Sequence, residues 1–301
     1  MSSLLTNSSA MTALQTLRSV SSQLSTTQSR ISTGQRVATA ADNAAYWSIA
    51  TSMRADNAAL SAVSDSLGLS AATVDTEYTA LNKVLGDSNS GLTKLQSLLV
   101  EAKTAGIDRS KIQSEITQIQ QDMKNVANAA TFNGVNWLST NASTPATVNL
   151  VSSFSRVGST PTTSSITVTV ANYSLYTSST GGILDTVSGS ASVDSLNIGS
   201  LTDSTADQAI LDGYIAKVTA AIGTVSSGAA NLGAIKNRIS NNSEFVKSLM
   251  DSVDRGIGQL VDADMNQEST RLAALQVQQQ LGVQALSIAN NNSQSILSLF
   301  R

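Results

Sequence analysis

No cysteine and no histidine occur among the 301 residues. Without cysteine no disulfide can form, and the redox compartment cannot be inferred. Without histidine the commonest general base and the commonest metal ligand are missing together. A Ser-His-Asp arrangement is therefore impossible, however many serines the chain carries. Proline occurs twice, at Pro145 and Pro161, so the helical patterns on either side run uninterrupted. Charge is scarce too: charged residues make up 13% of the chain, about half the usual share. The net charge of −3 comes with no basic cluster, which argues against nucleic acid as the main partner. No apolar run reads as a bilayer span, and none of this points to membrane insertion. Met1 to Ala10 has neither the basic nor the apolar region of an ordinary secretory signal.

What the chain does have is heptad repetition, most conspicuously in its last stretch, Gln259–Arg301. After Glu268 the only charged residues there are Arg271 and Arg301. Leu272, Leu275, Leu286, Ala289, Ile296 and Phe300 share one seven-residue spacing, as a coiled-coil seam would. Ala274, Leu281, Ala285, Ile288 and Leu299 repeat with the same period on a second face. A surface helix normally has one apolar stripe and a charged opposite face. A helix with two apolar stripes separated by amides and hydroxyls needs neighbours on several sides.

The first forty residues complement it. Ala10, Ala13, Leu17, Val20, Leu24, Thr27 and Ile31 keep a 3-and-4 alternation, and Arg18 is the only charged residue before Arg30. Each end is short of apolar area to offset its own ordering entropy. Two readings stay open: ends that order only among other copies, or an antiparallel helical hairpin within one subunit.

Between the ends, Gly34 marks a break, and Asp42 or Asn43 caps the next helix. Ile49 to Ala102 reads as one long helix, softened near Gly86 and Gly91, with Leu60, Leu67, Val74, Leu81 and Leu95 in register. Asp108 or Ser110 starts another, with Ile112, Ile116, Ile119, Met123 and Val126 on one face. Asn133-Gly134 is a turn signal opening a Ser/Thr-rich interval. There Ile166, Val168 and Val170 alternate with threonines as a half-buried strand does, and Val148–Leu150 and Val193–Ile198 are weaker strand candidates. Helical pattern returns near Ala206, capped by Asp203 or Ser204, and runs about fifty residues through Leu260. The predicted fold is mainly α: coiled-coil-like helices from both termini forming an elongated rod, with a small β-hairpin or sheet in the middle. The divisions are 1–42 with 259–301 as a terminal coiled coil, 43–143 with 204–258 as a helical rod, and 144–203 as an exposed β region.

Catalytic and metal chemistry find no constellation here. Asp262, Asp264 and Glu268 are the acidic cluster of note, and their helical spacing predicts ion pairs with Arg255 and Arg271. Gly86 and Gly91 lack the Lys-Ser/Thr of a phosphate cradle. No cofactor is expected, and no enzymatic activity.

Four segments carry a family resemblance. Arg30-Ile-Ser-Thr-Gly-Gln-Arg-Val-Ala-Thr-Ala-Ala-Asp-Asn-Ala-Ala45 resembles the N-terminal signature of bacterial flagellin. Gln113-Ser-Glu-Ile116 with Thr131-Phe-Asn-Gly-Val135, then Asn231-Leu-Gly-Ala-Ile-Lys-Asn-Arg238, and finally Gln280-Leu-Gly to Ile296-Leu-Ser-Leu-Phe-Arg301 follow in the family's order. The resemblance implies a short-form subunit that self-assembles into the flagellar filament for swimming motility. It also implies export as an unfolded chain through the flagellum's own channel, to an extracellular location. The implied partners are many copies of itself and possible sister flagellins, with an export chaperone, a filament cap and hook-associated proteins. Subunit packing would fall to Leu17, Val20, Leu24, Ile31, Leu272, Leu275, Leu281, Leu286, Ile288, Ile296, Leu299 and Phe300. Some relatives are detected by an animal immune receptor; the resemblance maps that patch onto Leu98 and Glu115, although Gln96-Ser97 replaces the family's Arg-Glu pair. Two other roles compete: a hook–filament junction protein of the same export system, and a host-recognised ligand or adhesin.

Overall fold

The computed structural model describes residues 7–141, 144–158, 160–178, 181–187 and 191–299, with side chains described as far as residue 291. The chain separates into two compact units, Met1–Ala58 with Met250–Arg301, and Ala59–Leu249. Two long helices, α2 (Ala44–Leu85) and α5 (Thr205–Val261), contribute residues to both.

In the first unit, α1 (Ser8–Thr33) lies antiparallel to α6 (Met265–Leu299). Asn7 begins α1 by accepting a hydrogen bond from the Ala10 N–H, 3.1 Å away, and Gly34 ends it. Asn43 rather than Asp42 caps α2, its Oδ1 accepting from the Tyr46 N–H at 3.1 Å. Asp42 instead folds back on the Ala38 and Thr39 amides. These bonds hold its carboxyl below the usual carboxylate range, the Thr39 amide first. The start of α2 buries Ala50 against Ile257 and Val261 of α5, with Met53, Val253 and Leu260 around them.

The second unit has the larger core. Leu60, Leu67, Val74 and Leu81 of α2 are buried, as are Leu211, Val218, Val225, Leu232, Ile239 and Val246 of α5. Both sets keep the predicted seven-residue spacing. Small residues let these two helices approach: a Cβ on Gly228 would lie 3.4 Å from Leu81, and one on Gly233 3.6 Å from Tyr78. By length and composition α5 is apolar enough to cross a membrane, at mean hydropathy 1.2. The sequence reading missed that run. About a third of its most apolar stretch is buried in the structure.

The expected continuous helix from Ile49 to Ala102 is broken. α2 stops at Leu85 and α3 runs from Gly91 to Glu101. Gly86 and Gly91 have φ of +70° and +65°, and a Cβ on Gly86 would stand 1.9 Å from the Ser90 carbonyl oxygen. Only glycine tolerates that close left-handed turn. α4 (Arg109–Ala129) starts at Asp108 as expected, with Ile112, Ile116, Ile119 and Met123 buried.

The middle interval is folded. β2 (Thr147–Val157) pairs antiparallel with β3 (Thr160–Thr169), and Ile166 and Val168 point inward as their alternation predicts. β1 (Ser139–Thr140) pairs separately and in parallel with β4 (Tyr176–Thr177). Val193–Ile198 is not a strand: Val193–Ser195 form a 3-10 turn closed by a reciprocal Ser192–Ser195 cap. α4 holds this segment through side chains. Gln113 Oε1 accepts from the Ile198 N–H at 2.7 Å, and Gln120 Nε2 donates to the Val193 carbonyl at 2.9 Å.

Candidate assembly surface

The hairpin of α1 and α6 begins with small side chains. Ala10, Ala13, Leu17, Val20, Leu24, Thr27 and Ile31 form the face that α1 turns to α6, with Val20 and Thr27 fully buried and the others half-buried. Across from it, Leu275 is buried, and Leu272, Gly282, Leu286 and Ala289 are half-buried. A Cβ on Gly282 would sit 3.5 Å from Leu17 Cδ1, so the two backbones run close. Asn7 Nδ2 donates to the Ala289 carbonyl at 2.9 Å and fixes the register at the open end.

At the other end the polar contacts differ from those expected. Glu268 pairs with Arg30, at 3.1 Å, not with Arg271. Asp264 is a helix cap, its Oδ1 accepting from the Asn266 and Gln267 amides. Arg255 turns to Ser252. The sequence spacing misassigned these partners because α5 ends at Val261 and α6 starts at Met265, so Asp264 lies before the first turn of α6. Between the helices the chain segments are stitched together by backbone bonds. The Arg36 and Val37 amides both donate to the Val261 carbonyl, and the Ala263 amide donates to that of Gly34.

Among the described residues, none covers the second apolar stripe of α6. Leu281 is 57% and Ile288 66% exposed, and Ala274 and Ala285 are exposed beside them. Val277 and Val283 add to this surface, as do Met11 and Leu14 on α1. Ile296 and Leu299 lie on α6 beyond the last described side chain, and Phe300 lies outside the described residues. Tyr46, Trp47 and Ile49, which the packing prediction omitted, are also exposed. Their signal was available as large apolar residues at a helix start, outside the heptad stripe.

The first unit is therefore turned inside out. It holds more than half of the large hydrophobic residues that are exposed among those described. Of the buried apolar residues among those described, it contributes only Val20, Val37, Ala50, Ile257, Val261 and Leu275.

Elsewhere several charged side chains make contacts within the second unit. Leu98 is 2% exposed and packed in the interior, while Glu115 is exposed and paired with Lys94 at 3.2 Å. Arg109 is buried, donating to the Ala102 and Leu201 carbonyls and to Asp203. That hydrogen bond from Arg109 holds the Asp203 carboxyl below the usual range. Glu77 is fully buried in α2, one oxygen accepting from the Trp137 N–H at 2.8 Å. Burial pushes its carboxyl up to about 7. Its sequence signal was a charged residue set between Val74 and Leu81 on the core stripe. No cluster of three or more metal-ligating side chains occurs among the described residues.

Known proteins match this chain along nearly its whole length. The bacterial flagellin N-terminal helical region matches residues 4–143, and the bacterial flagellin C-terminal helical region matches residues 215–300. A flagellin of Brucella melitensis is 46% identical over 307 residues, covering all of both chains. Flagellin C of Rhizobium meliloti is 43% identical over 331 residues, again covering both completely, and its Flagellin A is 39% identical over 401. With both terminal regions matched and relatives aligned end to end, the chain belongs to the bacterial flagellin family.

Proposed function

We propose that this flagellin, a structural subunit of the flagellar filament, polymerises through the outward apolar faces of α1 and α6. The observation that carries this reading is the inverted first unit, rich in exposed hydrophobics and poor in core. Such area is unfavourable in water and becomes favourable when copies cover it. Leu281 and Ile288 supply the face between copies. Leu17, Val20, Leu24, Ile31, Leu272, Leu275 and Leu286 hold the hairpin that presents it. By sequence spacing Ile296 and Phe300 continue the first stripe and Leu299 the second. In this assignment 1–42 with 259–301 form the filament interior, 43–143 with 204–258 the surrounding helical layer, and 144–203 the outer surface.

The polymer is extracellular and the chain has no catalytic role. An export chaperone, a filament cap and hook-associated proteins are its transient partners. The relatives named above are all flagellins, which leaves the junction-protein and adhesin readings without support. Electron microscopy of purified subunits seeded with filament fragments tests the reading. Long helical filaments are expected; a small closed ring or inert monomers would refute it.

A further inference from the structure

We propose that Tyr46, Trp47 and Ile49, at the start of α2, form a contact with a second copy of this chain in the polymer, an inference that rests on the assembly reading above. The three are 41%, 37% and 49% exposed. At 100° per residue, Tyr46 and Ile49 fall on one side of the buried Ala50 and Trp47 on the other. Helix α5 covers Ala50 through Ile257 and Val261 and leaves these flanks open. The apolar surface of the first turns thus extends past what its own chain can bury.

The platform beneath is fixed. The Arg36 amide donates to the Val261 carbonyl at 2.6 Å, and its guanidinium donates to the Leu260 carbonyl at 3.1 Å. The same guanidinium lies 5.9 Å from the centre of the Tyr46 ring. Asn43 caps the helix at Tyr46 itself. Aromatic side chains on a fixed backbone lose little freedom when covered, which is why Tyr and Trp dominate interface anchors. The charges beside the patch are of both signs: Arg36 lies over the Tyr46 ring, and Asp42 immediately precedes the Asn43 cap. An anionic membrane or nucleic acid would select a basic surface. A surface carrying both signs is complementary to another copy of itself. The patch also belongs to the same unit as the open stripe of α6.

The chain has two tryptophans, and Trp137 is fully buried. Quenching of wild-type fluorescence by acrylamide therefore reports Trp47, and Trp47→Phe should remove the quenchable component. On seeded polymerisation, followed independently by sedimentation, quenching of Trp47 is expected to fall several-fold. Trp47→Ser is expected to raise the critical concentration at least roughly tenfold with unchanged monomer circular dichroism. If polymer forms and Trp47 stays as quenchable as in the monomer, the contact is refuted while the assembly reading stands. If the wild-type chain forms no polymer, the assembly reading fails and the contact with it.

Discussion

Arg30 of α1 and Glu268 of α6 meet at 3.1 Å across the closed end of the terminal hairpin, and Glu268 is almost completely buried there. They stand 238 residues apart in a helix pair otherwise nearly free of charge. A buried carboxylate needs its partner, since an isolated buried charge is far costlier than the pair. The pair therefore fixes which end of α6 faces which end of α1, a register that the small apolar residues alone leave loose.

Arg30→Ala should destabilise the hairpin in assembled filaments by about 3 kcal/mol per subunit, because it strands Glu268. The double substitution Arg30→Met with Glu268→Leu should recover most of that loss. Urea-driven disassembly of filaments of the single and double variants, followed by sedimentation, checks both. Equal loss in the two would show that packing, not charge, sets the register.

Ile288→Asp should leave the monomer's helicity unchanged, since Ile288 is 66% exposed, yet stop polymerisation. A carboxylate buried between copies would have no partner. Sedimentation after seeding is the measurement, and filaments formed at the wild-type critical concentration would remove this face from the contact.

Leu67 is fully buried in α2, and truncating such a residue to Ala costs about 2–5 kcal/mol. In a unit of this size each kcal/mol lowers the melting temperature by about 2–4 °C. Leu67→Ala should therefore melt the monomer clearly earlier. Leu24→Ala, in the half-buried seam of α1, should instead leave the main melting transition in place and weaken filaments. Calorimetry of the two variants side by side separates them, and equal shifts would contradict the division of labour between the units.

Glu77 predicts an inverted pH dependence. Its carboxyl is raised by burial from 4.5 to about 7, so the folded chain keeps a proton that the unfolded chain has lost. Stability from this group is complete below about 4.5, falls as pH rises to about 7, and is constant above. The difference is about 3 kcal/mol. Carboxyls held low, such as those of Asp87 and Asp207, act in the opposite sense and at more acid pH. Glu77→Gln keeps an acceptor for the Trp137 N–H and should flatten the wild-type slope between pH 4.5 and 7 in urea unfolding. An unchanged slope in Glu77→Gln would assign the dependence elsewhere.

Much of this architecture could be read before any coordinates. Heptad spacing found α1, α4, α5 and α6, and the caps at Asp108 and Ser204 stand where their side chains can reach the first free amides. Sequence spacing reads Gly86 and Gly91 as softening one helix and not as ending it, because Leu81 and Leu95 remain in heptad register across the gap. Val193–Ile198 alternates like a strand, but its inward residues are selected by the α4 face to which Gln113 and Gln120 bind it. Local spacing also could not reveal the partner of Glu268, because the helix that supplies it is the first in the chain. On the assembly surface the doubled stripe of α6 was legible as an excess of apolar positions. The aromatic flank at Tyr46–Trp47 had no periodicity to mark it, and its signal was only that two large side chains stand at a helix start.

The central claim is that α1 and α6 depend on neighbouring copies, whereas the second unit is self-sufficient. Amide hydrogen exchange, compared between free subunits and seeded filaments, tests it most directly. In free subunits the account predicts fast exchange in α1 and α6 and slow exchange through the buried stripe from Leu60 to Leu85. In filaments both should be slow. Equal, strong protection of the terminal helices and of Leu60–Leu85 in the free subunit would contradict the claim, because the hairpin would then be stable without the polymer.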